Sequence, residues 1–532
     1  MLVGKLDQNR PFAWRGGSWV VGSIAIVSAI ALLSGCATAA PGPSAREGSL
    51  VIAENEPPAT FDPVQADNST VDEVVIPAYE TLVEYNEKSE IVGLLASSWE
   101  VSADGREISV ELEDGPIFHD GTALTANDVK YTLDRIKSIG IGVASYLTSY
   151  ESSKTVDDRN LTIALSQADA PFIAALTRVY ILNSALVEKN VGTDQGQSWL
   201  SRNDAGSGPY ALTSYSPNQS AEFAEYTDYW RGTNEGQAKS VVFRYLSDPA
   251  TQAAALKSGD VDIAMDITPI DWATFDGTDG FVVDKADANV VLYVFFNMND
   301  PKTSDPALRE AVAYAYDYEQ HLTSILKGAG KPVVGPLPSE MQCSTTDLIQ
   351  PTQDLEKAAE IVADNGLKGT ELTMTYLEAT SEMEQAATLL QSNLVDIGIN
   401  LTLQAITYPQ YIDLTAADDT RPQLGMIYAF PPFPDTSAIM YQNFNSASIG
   451  SQNWGAYKSD EVDKLTNDAQ VETDQNVRCD YYVKTQQIVS ADFASVNMAN
   501  SQIVSVMTDR VQGYKYRPAH HQTVDVYSIT LK

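Results

Sequence analysis

The sequence predicts an α/β protein built from two or more globular lobes. Three observations carry this. Strand-type alternation and helix-type spacing follow one another along most of the chain. The roughly 480 residues beyond the N-terminal segment exceed what one hydrophobic core holds. Strand–helix–strand units also recur with recognisable caps.

Leu50-Val51-Ile52-Ala53 is the first apolar strand. Trp99 and Val101 alternate with polar residues, Asp104-Gly105 is a turn signal, and Ile108, Val110 and Leu112 alternate again, which predicts a hairpin. Thr125 and Asp128 have capping-box spacing, and Val129, Leu133 and Ile136 recur at helical spacing, so a helix is expected from Ala126. Two strands are expected around Pro217-Asn218. Val241-Val242-Phe243, a helix from Asp248-Pro249 to Gly259, and Val261 to Met265 form a parallel crossover, whose strands end on one sheet edge where ligands bind. Val290 to Phe296 is an unbroken apolar strand. Asp305-Pro306 is expected to cap one helix running through Leu308, Val312, Ala315, Leu322 and Ile325. A helix from Asp354, a strand at Leu372, Met374 and Tyr376, a helix with a Ser381/Glu384 capping box, and a strand at Ile399 to Leu403 continue the alternation.

F-H-D-G-T-A-L-T-A-N-D-V-K-Y-T-L-D-R, from Phe118 to Arg135, resembles the signature of the family 5 extracytoplasmic solute-binding proteins, the peptide/nickel-type binding subunits of ABC importers. Phe61-Asp62-Pro63 followed by Tyr79 to Tyr85, G-S-G-P-Y from Gly206, Phe296 to Asn299 with L-R-E-A-V-A-Y-A-Y-D, and Trp454 to Leu465 resemble later family segments in the same order. The resemblance implies a two-lobed periplasmic-binding-protein-like fold of the class II, cluster C type, with an extra domain inserted in the first lobe. The expected layout is residues 48–75, 205–288 and 503–532 for lobe I, 76–204 for the insert and 289–502 for lobe II. It implies capture of a small solute, by default an oligopeptide, for delivery to ABC permease subunits. A monomer is expected, with no cofactor, metal or nucleic acid.

The expected ligand-facing residues are Asp67, Asn68, Asn297, Tyr428, Phe430, Asp435, Trp454 and Tyr457. Peptide-binding relatives carry a carboxylate in the aromatic loop near the cleft, where it pairs with the peptide's amino terminus. Here the loop is Tyr428-Ala429-Phe430-Pro431-Pro432-Phe433-Pro434-Asp435, and Pro432 takes that place. Nickel chelates, glutathione-like compounds and oligosaccharides therefore stay open beside peptides.

Lys5, Arg10 and Arg15 precede an apolar run from 19 to 33, which reads as a secretory leader over residues 1–35. Leu33-Ser34-Gly35-Cys36 resembles a lipobox, implying cleavage before Cys36 and its lipidation. Residues 36–49 have the composition of a tether reaching at most ~45 Å, so the body is expected to be anchored to the outer face of the cell membrane by lipid alone. Cys343 and Cys479 then remain, to form one bridge or stay as two buried thiols. The formal charge is −37; removing residues 1–35, with three basic residues and one acidic, takes away +2 and leaves −39. That charge repels nucleic acid and anionic headgroups.

No H-E-x-x-H, paired C-x-x-C or G-x-S-x-G occurs, so zinc hydrolysis and nucleophile-elbow chemistry lack their parts. His119-Asp120 could be taken for a base and its orienter, but neighbours on an extended segment point to opposite faces. His520-His521 reads as a solvated pair. A secreted hydrolase with a glycosidase-like carboxylate pair is the rival class, because such pairs leave no fixed spacing.

Overall fold

The computed structural model describes residues 48–67, 69–86, 88–378, 380–517, 519 and 523–532. Residues 1–47, which include Cys36, and Asn68, His520 and His521 lie outside the described residues.

The first lobe is a seven-stranded mixed sheet. Ser49–Glu54 lies at its centre, parallel to Ser240–Tyr245 on one side and to Ile263–Ala264 on the other. The helix Pro249–Ser258 links those two flanking strands; the Asp248 side chain accepts from the Thr251 N–H, Pro249 opens the first turn, and Gly259 closes it at φ 75°. Tyr210–Ser216 and Ser220–Glu225 extend one edge as a hairpin. Ile503–Thr508 and Phe281–Ala286 extend the other, both antiparallel to their neighbours.

A separate four-stranded antiparallel sheet, formed by Ala96–Val101, Glu107–Leu112, Asn160–Leu165 and Tyr150–Thr155, packs against the helix Ala126–Ile139. Val129, Leu133 and Ile136 are buried, as their spacing requires. The Asp128 carboxylate accepts from the Thr125 N–H at 2.9 Å and hydroxyl at 2.8 Å, which starts the helix. Near its end, the buried Arg135 guanidinium forks onto Asp62 at 2.9 and 2.5 Å. The Phe61-Asp62-Pro63 turn and the signature helix are thus two halves of one buried ion pair. Gly206 and Gly208 pass so close to the backbone of residues 77–79 that a Cβ at Gly206 would sit 1.8 Å from the Ala78 carbonyl oxygen, which explains the glycines of G-S-G-P-Y.

The second lobe is a six-stranded sheet. Glu371–Leu377 runs parallel to Asn400–Ile406 and to Leu424–Ala429. Val291–Phe296 is buried throughout and antiparallel to both its neighbours, Leu424–Ala429 and Ser495–Ser501. Its continuous apolar run reflects a central position with both faces covered. The expected single helix after Asp305 is instead broken. Pro306–Ala315 ends where Tyr316 turns extended at ψ 135°, and Asp317 caps a new short helix by accepting from the Gln320 N–H. The break seats the buried Tyr316 hydroxyl 2.7 Å from His321 Nδ1. The helix Ser381–Asp396 is preceded by Thr380 at its N-cap, so Ser381 lies inside its first turn and the expected capping box does not form.

Two strand crossings join the sheets. Phe281–Ala286 continues into Val291–Phe296, and Ser495–Ser501 continues into Ile503–Thr508. The crossings run side by side, with Ala286 opposite Ile503 and Val291 opposite Asn500. Asn500 Nδ2 donates to the carbonyls of Ala288 and Val290, both at 2.8 Å, and Gln502 Nε2 donates to Asp287 at 2.8 Å. This two-strand ribbon with side-chain ties is a hinge-like junction.

Candidate functional site

Strand direction fixes which ends face the junction. In the first lobe, Ala264 pairs with Val506, three residues past Ile503, so the carboxyl ends of the parallel strands point to the crossings. In the second lobe, Ala429 pairs with Val291 at the crossing, so Leu377, Ile406 and Ala429 also end there. Two carboxyl edges therefore confront each other, the position at which open α/β sheets bind ligands.

From the second lobe, that edge presents Tyr428, Phe430, Tyr408 and the loop to Asp435. The Tyr428 hydroxyl donates to Glu382 Oε2 at 2.8 Å; Glu382 Oε1 accepts from Ser501 at 2.9 Å and lies 3.2 Å from His321 Nε2. Burial first, then the Glu382 charge, raises the Tyr428 phenol. Phe430 is 45% exposed. Phe433 packs into the first-lobe core and meets Tyr146 of the insert edge-on at 5.6 Å. Asp67 stands across from Tyr408, whose phenol is raised by burial and then by the Asp67 charge. A 590 Å³ cavity beside Asp67 runs along the insert between Leu133, Ile141 and Leu147.

Asp435 has no spare capacity. It is buried, and Arg478 forks onto it at 2.6 and 2.7 Å, while the Ser437 N–H and hydroxyl add 2.8 and 2.6 Å bonds. Burial alone would raise its carboxyl, but the Arg478 charge and these donors outweigh that and hold it below the usual range. Arg478 comes from the helix Gln475–Ala491, which the Cys343–Cys479 disulfide fastens to the loop at 341–344. The Thr436 hydroxyl bonds that loop at the Gln342 carbonyl, 2.5 Å away. Asp435 is thus the strut that sets the loop.

The expected residues do not all meet. Asn297 follows Phe296, which pairs with Leu424, so it sits at the far end of the sheet from Tyr428. There its side-chain amide donates to the Arg421 carbonyl at 3.2 Å and its oxygen accepts from the Asn299 N–H at 3.0 Å, a buried turn. Trp454 packs edge-on against Tyr411 at 5.9 Å, beside Phe295. Tyr457 is buried in another core cluster and donates to Asp492 at 2.6 Å. Register carries Asn297 away from the crossing, while Trp454 and Tyr457 lie in packing clusters of this lobe.

Sequence reasoning missed Glu54, Tyr245, Tyr408, Glu382 and Arg478. Glu54 and Tyr245 end the parallel strands Ser49–Glu54 and Ser240–Tyr245, so the edge rule could have found both. Arg478 carries no sequence signal, because its partner is 43 residues away. Glu54 and Glu73 form a buried carboxyl pair hydrogen-bonded to each other. Direct bonding leaves no room for a scissile bond between them, which needs carboxyls about 5 Å apart or more. His119 lies 2.8 Å from Asp204 and 3.0 Å from the Gly208 carbonyl, and Asp120 accepts from Thr122 and Asn183, so both side chains are spent holding a turn. Among the described residues, no group of three or more His, Cys, Asp or Glu side chains is placed to hold a metal ion, and no helix is long and apolar enough to cross a membrane.

Residues 90–451 match the model of the bacterial extracellular solute-binding proteins, family 5, more than half of the chain. The chain belongs to that family. This family 5 chain is 29% identical over 490 residues to the probable D,D-dipeptide-binding periplasmic protein DdpA of Escherichia coli K12, covering 90% of this chain and 94% of that one. The fold is that of the Listeria monocytogenes substrate-binding protein CtaP, with TM-score 0.81 at 22% identity, covering 91% of this chain and 99% of that one. It is equally that of the Helicobacter pylori periplasmic binding protein DppA in complex with the peptide STSA, with TM-score 0.77 at 22% identity over 91% and 98%. The family and these neighbours are binding proteins.

Proposed function

We propose that this protein is the extracytoplasmic substrate-binding subunit of an ABC importer, that it captures a short peptide between its lobes, and that it does no chemistry on it. The observation that carries this is the near full-length similarity to DdpA, named as a probable D,D-dipeptide-binding periplasmic protein. The confronting carboxyl edges and the two-strand junction supply the means: a ligand touching both edges favours the closed arrangement by its differential contacts, and a permease reads that arrangement. Lobe I as 48–75, 205–288 and 503–532, the insert as 76–204 and lobe II as 289–502 is the layout we adopt, supported by the sheet membership of Ser49–Glu54 and Ile503–Thr508. The ligand-facing set is Asp67, Tyr428, Phe430 and their neighbour Tyr408. The body acts as a monomer, tethered by lipid on Cys36 after loss of residues 1–35.

Calorimetric titration with D-alanyl-D-alanine and L-alanyl-L-alanine tests the ligand class. Binding of either, recovered intact, and about tenfold weaker binding by Tyr428→Ala or Phe430→Ala are the expected results, the size of one lost anchor. Cleavage of the peptide by protein free of other hydrolases would overturn the binding reading. Cys36→Ser should release the protein from the membrane fraction or leave it uncleaved; unchanged processing and attachment would make the leader itself the anchor.

A further inference from the structure

Taking the solute-capture reading as its base, the first-lobe edge shows which ligand group it is built to receive. Two polar groups there lack partners. Glu54, the last residue of its strand, is 4% exposed, and its Oε1 has no hydrogen-bond partner. Tyr245 ends the adjacent parallel strand in register with Glu54, is 9% exposed, and its hydroxyl is also without a partner. Side chains in register on neighbouring strands project to the same face, so both side chains stand together on one face of the sheet. Folded proteins rarely leave even one such group unmade, so two side by side mark a place for something the chain does not itself supply.

Their chemistry selects the occupant. Glu73, from the helix Ser69–Val75, is hydrogen-bonded to Glu54, and Asp266 and Glu56 add negative charge to the same cluster. The nearby cation Arg178 is taken by Asp72. Burial, then the Glu73 and Asp266 charges, hold the Glu54 carboxyl well above the usual range, and the Tyr245 phenol is raised by burial and then by Tyr215, Glu54 and Glu73. An anion is repelled here, whereas a cation with several N–H donors satisfies a carboxylate oxygen and a phenol oxygen together. Across the junction, Asp435 is paired with Arg478 and Glu382 is bonded to Tyr428 and Ser501, so neither is open to an ammonium.

We propose that Glu54 and Tyr245 form a receptor for a primary ammonium group of the captured solute, on the first lobe rather than on the aromatic loop of the second. The carboxyl is binding-competent as the carboxylate, and a proton held on it leaves to solvent as the ammonium enters.

The test is calorimetric titration of wild type, Glu54→Gln and Tyr245→Phe with two probe pairs. One pair is lysyl-alanine and its α,ε-diacetyl form; the other is 1,5-diaminopentane and 1,5-pentanediol. Wild type should prefer the amine of a pair by about tenfold or more, the strength of a charge-assisted bond in a buried site. Glu54→Gln should reduce that preference to under about twofold without lowering affinity for the uncharged partner, and Tyr245→Phe should reduce it part-way. A preference that persists in Glu54→Gln, or wild type that binds neither amine, overturns the proposal. Failure of both peptides alongside amine-selective binding of the diamine would overturn the peptide reading and leave the ammonium receptor standing.

Discussion

Asp435 and Glu54 stand at the two facing edges of the same junction and meet opposite fates. Asp435 accepts four hydrogen bonds, two from a buried guanidinium, and its carboxyl is depressed. Glu54 faces the acids Glu73 and Asp266, its Oε1 has no hydrogen-bond partner, and its carboxyl is raised. Glu80, buried against first-lobe residues, is intermediate: it accepts from Ser207 at 2.8 Å, Tyr229 at 2.8 Å and Trp230 at 3.0 Å, all neutral donors. Burial pushes Glu80 up, these donors only partly restrain it, and it settles at about 7. A buried carboxylate is made structural or available by whether the fold brings it a cation.

The comparison breaks most visibly at Arg478. Arg478→Ala leaves Asp435 buried and uncompensated and should cost about 3–5 kcal/mol, read as a lower denaturant midpoint, with Asp435→Asn in the same chain recovering part of it. The sign follows from the depressed carboxyl: the stability it gives is present above the unfolded value and is lost as pH falls through the folded one, so the variant should lose the wild type's steep acid limb. Equal midpoints for wild type and Arg478→Ala would show that the pair is idle.

The disulfide is the next strut on that side. Cys343→Ser with Cys479→Ser opens a loop spanning 136 residues and should cost about 2–4 kcal/mol. Because the bridge fastens the helix that carries Arg478, ligand affinity should fall along with the denaturant midpoint. Affinity unchanged at a lowered midpoint would separate the bridge from the cleft.

Glu80 sharpens the comparison through pH. Its folded value is raised to about 7, so its contribution is fully present below the unfolded value near 4.5 and is lost as pH rises through about 7. Across that window wild type should lose up to about 3 kcal/mol that Glu80→Gln does not. Parallel pH–stability curves would contradict the assignment. The smallest effect is expected at Tyr245→Phe: removing a hydroxyl that has no partner should change stability by less than about 1 kcal/mol, whereas the same substitution at a bonded tyrosine such as Tyr210 should cost more.

The elements were legible wherever cap and period agreed, as at Thr125 with Val129, Leu133 and Ile136, or at Asp248-Pro249 with Gly259. Beyond Asp305 the periodicity ran past Tyr316, but the chain breaks there because Asp317 offers a second cap and Tyr316 reaches His321. Of the candidate site, the place of the aromatic loop was legible, since Tyr428 and Phe430 flank the carboxyl end of Leu424–Ala429, whereas the pairing of Asp435 with Arg478 was not. Asn297 lies at the far end of its sheet from Tyr428, which the local pattern could not tell because only register says which end of an antiparallel neighbour faces the crossing. Arg478 and Arg135 were silent because a long-range ion pair has no spacing. Glu54 was visible as the acid closing an apolar run, yet its lack of a partner is a property of the fold alone.

Capture of a peptide between the lobes can be read directly by native mass spectrometry of protein purified from its own host. A stoichiometric adduct with the mass of a short peptide carrying a free primary amine is expected on wild type, lost or depleted in Tyr428→Ala and Glu54→Gln. A sugar or metal-chelate mass retained equally by all three proteins would contradict it.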